Sequence, residues 1–377
     1  MFNIHDISRN AYMLKGQLAD NGYDWWWHSF TGRDAETGEE KAFFIEFFLC
    51  NPELAGDKPV LGQQYDNLRQ RKKPSYLMVK AGCWGKDACQ LHRFFPWEDV
   101  TVSDGIPYFV DAADCFASDL ELRGSVKVTE EDAASKPELM CDAGEMKWDL
   151  RLVKKIAFNV GYGAGKPMRD LNAFEMYWHV EGMKTIYAGT VIYNGRKYRV
   201  TPDESYGYAD KNWGENFTSP WIWLSSNCLK SNITGEQLKN SVFDIGGGKP
   251  KVFGVSLDRI LLGAFYYEGK EIEFNFSKFW TAPKTAFRCI ETDEEIIWHV
   301  EQSNWKYVMR TNIHCRKDEM LKINYEAPDG TKKHNSLWNG GTGKGRIKLY
   351  EKCGKDLKLI DDISVTHVGC EYGEFSE

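Results

Sequence analysis

The chain has 377 residues, of which 42% are hydrophobic and 14% aromatic, and it carries a formal charge of −7. That length exceeds one small core, the apolar content excludes a disordered chain, and the acidic balance argues against a nucleic-acid partner. The best apolar run, "AFFIEFFL" at 42–49, is too short for a bilayer span and is interrupted by Glu46.

The N-terminus, "MFNIHDISRN", lacks a basic stretch followed by an apolar core. Secretion is therefore unsupported and a cytoplasmic location is expected, with peripheral membrane contact left open. Next, "WWW" at Trp25–Trp27 places alternate indoles on opposite faces of a strand. "KAFFIEFFL" reads as a strand ended by "CNPELAGDKP", and "PSYLMVKAGC" alternates. Within "CWGKDAC", Cys83 and Cys89 fit neither a zinc knuckle nor a redox pair, so the ten cysteines are expected to be reduced thiols.

Helical periodicity is scarce. It is confined to part of "DVTVSDGIPYFVDAADCF" from Asp99, and to "GEQLKNSV" from Gly235, with a cap at Thr234 and Gln237 three residues on. "SKPELMCDAGEMKWDLRLVKK" from Ser135 reads as a loop or irregular crossover. "GYGAGKP" from Gly161 to Pro167 fails as a phosphate loop, because Pro167 stands where Ser or Thr must follow Lys166. The eight histidines show no HxH or HExxH spacing, so neither metal nor cofactor is expected.

"KTIYAGTVIYNGRKYRVT" holds two β-rich runs split by Asn194–Gly195, a strong hairpin signal. Alternating runs continue to the C-terminus, which predicts a mainly β fold of barrels or sandwiches. The polar stretch Lys230–Lys251, containing "GGGKPK", is the best linker. It divides the chain into an N-terminal domain, 1–230, and a C-terminal domain, 231–377.

"YGYADKNWGENFTSPWIWLSSN", Tyr206–Asn227, combines three tryptophans with acids, a lysine and asparagines. With its upstream strand it presents Met176, Tyr177 and His179, the Asn194 turn, "YADKNWG" at Tyr208–Gly214, then Phe217, Trp221, Trp223 and Asn227. Over about fifty residues this resembles the tocopherol cyclase-like family, whose relatives include carotenoid hydratases and lipocalin-like Diels–Alderases. Asp210 stands at the family's usual glutamate, Asn212 at its following aspartate, and Glu181 lies two residues after His179.

The resemblance implies two packed lipocalin-like β-domains with a cavity for a small hydrophobic, often isoprenoid, molecule. It also implies protonation of a carbon–carbon double bond, followed by trapping of the cation. That chemistry needs a carboxyl kept protonated by an apolar pocket, and electron-rich walls. Asp210 is the candidate acid, Tyr208 shares its strand face, and His179 is the candidate to hold or relay the proton. Tyr177, Trp178, Tyr206, Lys211, Trp213, Phe217, Trp221, Trp223 and Asn227 are the candidate substrate-binding residues. Alternatively, Asp210, Lys211 and Trp213 form a structural tie. A non-catalytic lipid or pigment carrier and a carbohydrate-active β-protein are the competing functions. Cyclase, hydratase, isomerase and pericyclase are not separable at this level.

Overall fold

A computed structural model describes residues 7–54, 56–158, 174–249, 251–252, 255–256, 260–276, 279–331 and 336–374. The glycine-rich segment 161–167 lies outside the described residues. The first sheet is built from β1 (Tyr23–Asp34), β2 (Glu40–Cys50), β3 (Tyr76–Cys83), β4 (Cys89–Phe95), β5 (Thr101–Val102) and β6 (Phe109–Ala112). It continues with β7 (Cys115–Ser118), β8 (Glu121–Val128), β9 (Gly144–Phe158), β10 (Met176–Tyr193), β11 (Arg196–Val200) and β12 (Gly207–Gly214). The path runs β4-β3-β2-β1-β11-β10-β9-β8-β7-β6-β5, and β12 bridges β1 and β10.

The chain then crosses to a second sheet, beginning with β13 (Trp221–Ser226), β14 (Cys228–Ser231) and β15 (Val242–Gly248). A small pair, β16 (Lys251–Val252) and β17 (Val255–Ser256), precedes β18 (Ile260–Tyr267) and β19 (Lys270–Phe274). β20 (Lys284–Glu291), β21 (Glu295–Ser303), β22 (Tyr307–Arg316), β23 (Leu321–Ile323), β24 (Leu337–Cys353) and β25 (Asp356–Gly373) complete it. Its path is β19-β18-β15-β13-β25-β24-β22-β21-β20. The fold is mainly β, as expected, and the change of sheet falls between Gly214 and Trp221, ahead of residue 230. Among the described residues no helix is long and apolar enough to cross a membrane.

Burial patterns explain how the two sheets meet. β9 alternates exposed and buried residues along "GEMKWDLRL", as a strand with one wet face must. β3 is buried at every position, and β2 at every position from Ala42 onward. Those strands are covered on both faces, one by their own sheet's core and the other by the second half of the chain. Accordingly one continuous apolar cluster joins first-sheet residues such as Trp26 and Phe47 to Trp221, Trp223 and Leu262 of the second sheet.

Three local expectations are corrected. The stretch from Asp99 forms the β5–β7 meander, in which Ala113 takes a left-handed turn conformation at φ 54°. "GEQLKNSV" forms no helix, because the Ser231 hydroxyl accepts from the Ile233 and Thr234 amides and Gly235 turns the chain at φ +77°. The glycine run taken for a linker is the buried strand β15, paired on both sides. Gly246 is needed there because a Cβ would lie 2.5 Å from the Trp178 ring.

Candidate active site

The register of the first sheet lines up a rung of unusual composition. Lys80 of β3 pairs with Glu46 of β2, Glu46 with Trp27 of β1, and Trp27 with Asp210 of β12. The rung two residues along carries Phe48, Trp25, Asn212 and Trp178. Residues opposite one another in antiparallel strands share a face, so all these side chains project from one side of the sheet. That side meets the second sheet, where Trp223 of β13 pairs with Glu371 of β25.

Between the sheets lies a cavity lined by Trp25, Trp27, Asp210, Asn212, Phe217, Trp221, Trp223, Tyr325 and Glu371, with Met176, Thr218 and Leu337. It is a narrow slot: of about 520 Å³ of space between atoms, about 30 Å³ admits the centre of a water molecule. The ring faces offer an electron-rich, apolar wall, and two carboxyl groups are set into it.

Asp210 accepts through one oxygen, Oδ2, from the Trp178 indole (2.8 Å) and the Tyr208 hydroxyl (3.1 Å). Its Oδ1 is buried without a hydrogen-bond partner among the described residues. Burial drives its pKa well above the usual carboxylate value and the nearby Glu371 adds to the rise, while the Trp178 and Tyr208 hydrogen bonds oppose it. Behind Tyr208 lies a second fully buried carboxyl, Asp244, raised first by burial and then by Asp210.

Glu371 is the other acid of the slot. Its Oε2 accepts from the Trp221 indole at 2.6 Å and its Oε1 from Asn339 at 2.5 Å. Burial pushes it up to about 7, the two donors opposing. At the floor, Tyr325 stacks on Trp25 at 5.5 Å and donates to both Glu46 oxygens at 2.8 and 2.9 Å. Lys80 pairs with Glu46 at 3.1 Å and lies 3.2 Å from the Tyr325 ring centre. Burial lowers Lys80 to about 8 despite the Glu46 partner. Among the described residues no His, Cys, Asp and Glu cluster fits a metal ion.

The profile of the tocopherol cyclase-like family matches residues 143–374. The chain belongs to that family. No curated protein matches the sequence. Among solved structures, CghA bound to Sch210972 aligns over 94% of this chain and 89% of its own, at 10% identity and a TM-score of 0.47. Kievitone hydratase from Nectria haematococca aligns over 97% of this chain and 95% of its own, at 12% identity and a TM-score of 0.43.

Within the tocopherol cyclase-like region, the residues singled out from sequence separate into three groups. Asp210, Phe217, Trp221 and Trp223 line the slot, and Tyr208 and Trp178 reach Asp210 from its edges. His179 and Tyr177 pair with Lys211 and Trp213, so these four project from the opposite face, into the first sheet's own core. There Lys211 forms a buried ion pair with Asp24 and lies 3.6 Å from the Trp26 ring centre, while Tyr177 stacks on Trp213 at 5.3 Å. His179 therefore does not converge with Asp210. Tyr206 packs at a tilt against His367, ring centres 4.1 Å apart, and Asn227 donates to the Gly207 carbonyl at 2.8 Å, so neither lines the slot. Sequence reasoning missed Glu371, Tyr325 and Asp244, and it left Trp25 and Trp27, whose strand face lines the slot, out of the candidate set.

Proposed function

We propose that the protein is an enzyme that protonates a carbon–carbon double bond of a hydrophobic, isoprenoid-like substrate in the inter-sheet slot. The resulting cation is then directed to cyclisation, hydration or isomerisation. The observation that carries this reading is Asp210: a carboxyl kept protonated by burial, on an aromatic wall, with one oxygen free of hydrogen-bond partners among the described residues. A proton delivered to carbon needs an acid of that kind, since an ordinary aspartate is ionised at neutral pH.

The proton on Oδ1 passes to one alkene carbon, and the π pair forms the new C–H bond. Positive charge develops on the more substituted carbon, where the faces of Trp27 and Trp223 attract it. The carboxylate left behind keeps the Trp178 and Tyr208 hydrogen bonds on Oδ2, which strengthen as charge appears. Glu371, poised near 7, accepts the proton released when water, a phenol oxygen or loss of a neighbouring C–H quenches the cation. Asp210 and Glu371 thus divide acid and base roles between two carboxyls. Family membership supports the same reading.

The test is turnover in D₂O of terpenoid alkenes, with and without an attached phenol, followed by mass spectrometry. The expected product carries one deuterium on carbon. A product without deuterium refutes protonation, and a ligand retained unchanged indicates a carrier.

A further inference from the structure

A second constellation lies away from the slot, where β14 and β25 of the second sheet meet β2 of the first. Cys228 of β14 pairs directly with Thr366 of β25. The Thr366 hydroxyl donates to Cys228 Sγ at 3.2 Å and contacts His367 Nδ1 at 3.0 Å. On the other edge of that imidazole, Nε2 contacts Glu40 Oε2 at 3.1 Å. Carboxylate, imidazole, hydroxyl and sulfur thus form one hydrogen-bonded chain from Glu40 to Cys228. Its order is that of a thiol nucleophile, a base and a residue that orients the base. His367 reaches this position by taking a left-handed conformation, φ 52°, where β25 passes from pairing with β14 to pairing with β13.

The surroundings favour a thiolate. Burial alone would raise the Cys228 pKa, but hydrogen bonds from His367 and Thr366 outweigh it and the thiol is lowered. Burial likewise opposes protonation of His367, yet the Cys228 sulfur and the Glu40 carboxylate raise it. Gln237 donates to the sulfur at 3.7 Å, and Tyr206 packs its ring on the imidazole. Glu40 is itself paired with Arg33 at 2.5 Å. A recess with about 590 Å³ of space between atoms opens beside the chain, bordered by Glu40, Thr366, His367 and Lys344.

We propose that Cys228, linked through Thr366 to His367 and Glu40, is a nucleophilic site that forms a reversible thioether with α,β-unsaturated carbonyl compounds. The sulfur pair forms a C–S bond at the β-carbon, and the alkene pair moves to the enolate. The imidazolium proton passes from Nδ1 through the Thr366 hydroxyl to the α-carbon, so no further reactant is needed. The reverse sequence restores thiolate and imidazolium. A soft electrophile suits a thiolate.

The experiment treats the intact protein briefly with N-ethylmaleimide at pH 6.5 and quantifies peptides by mass spectrometry, with exposed Cys353 as the internal reference. Cys228 should react at least about tenfold faster than Cys353, as expected of an activated thiol. His367→Asn and Thr366→Val should each remove most of that advantage without changing the Cys353 rate. Should His367→Asn fail to fold, Glu40→Gln reports the same chain from its other end. Equal rates at Cys228 and Cys353, or a Cys228 rate indifferent to Thr366 and Glu40, would overturn the proposal.

Discussion

Replacing Glu371 by glutamine tests the electrostatics of the slot without disturbing its shape. Glu371 is held at about 7, against 4.5 for an ordinary glutamate. A carboxyl raised on folding binds its proton more tightly in the native state. Its contribution is therefore complete below the unfolded value and is lost as pH rises from there to about 7. At about 1.4 kcal/mol per pKa unit, the shift corresponds to roughly 3 kcal/mol lost by pH 8. Glu371→Gln carries no such dependence. It can accept only one of the two hydrogen bonds from Trp221 and Asn339, which costs about 1 kcal/mol at every pH. The variant should thus be slightly less stable than wild type at pH 4.5 and about 2 kcal/mol more stable at pH 8. For a chain of 377 residues that difference is worth about 3 °C in Tm. Calorimetry at half-unit steps from pH 4.5 to 8.5 would measure it. Parallel curves for the two proteins would refute a raised Glu371, and with it the base assigned to the quenching step.

Other perturbations probe the surroundings. Lys80→Met leaves Glu46 a fully buried charge without its cation and should cost about 3–5 kcal/mol in denaturant unfolding, most of it recovered in Lys80→Met/Glu46→Gln. Gly246→Ala drives a methyl against the Trp178 ring and should cost about 1–3 kcal/mol, read as a lower unfolding midpoint. Trp178→Phe removes a donor that lowers the Asp210 pKa, so the alkaline limb of the pH–rate profile, where Asp210 loses its proton, should move to higher pH. The same loss should lower kcat by about tenfold or more, because a hydrogen bond to a developing carboxylate is worth roughly 1.5–3 kcal/mol.

The part of the site written in "YADKNWG" was legible because strand alternation is local. Tyr208, Asp210 and Asn212 fall on one face of β12 whatever that strand pairs with. Which neighbouring residue meets Asp210 is not local. The pairing of β10 with β12 sets His179 opposite Lys211 and leaves Trp178, one residue earlier, to reach the carboxyl. A shift of one residue exchanges the two faces, and no pattern within either strand fixes that register. Glu371 was hidden for a similar reason. In "CEYGEFSE" it reads as a solvated charge near the chain end, and only pairing with Trp223 brings it to the slot. Gly246 misled in the other direction: a glycine run suggests a flexible connection, whereas here the missing side chain admits an indole.

The central claim is that Asp210 delivers a proton to carbon, and the most direct measurement is kcat and ligand Kd for Asp210→Asn beside wild type. The amide keeps the shape and the Trp178 and Tyr208 hydrogen bonds but has no acidic proton. Turnover should fall by about 100- to 10,000-fold, the usual contribution of a general acid, while Kd stays within about threefold. A folded variant with undiminished kcat, or one whose loss lies entirely in Kd, would contradict the account.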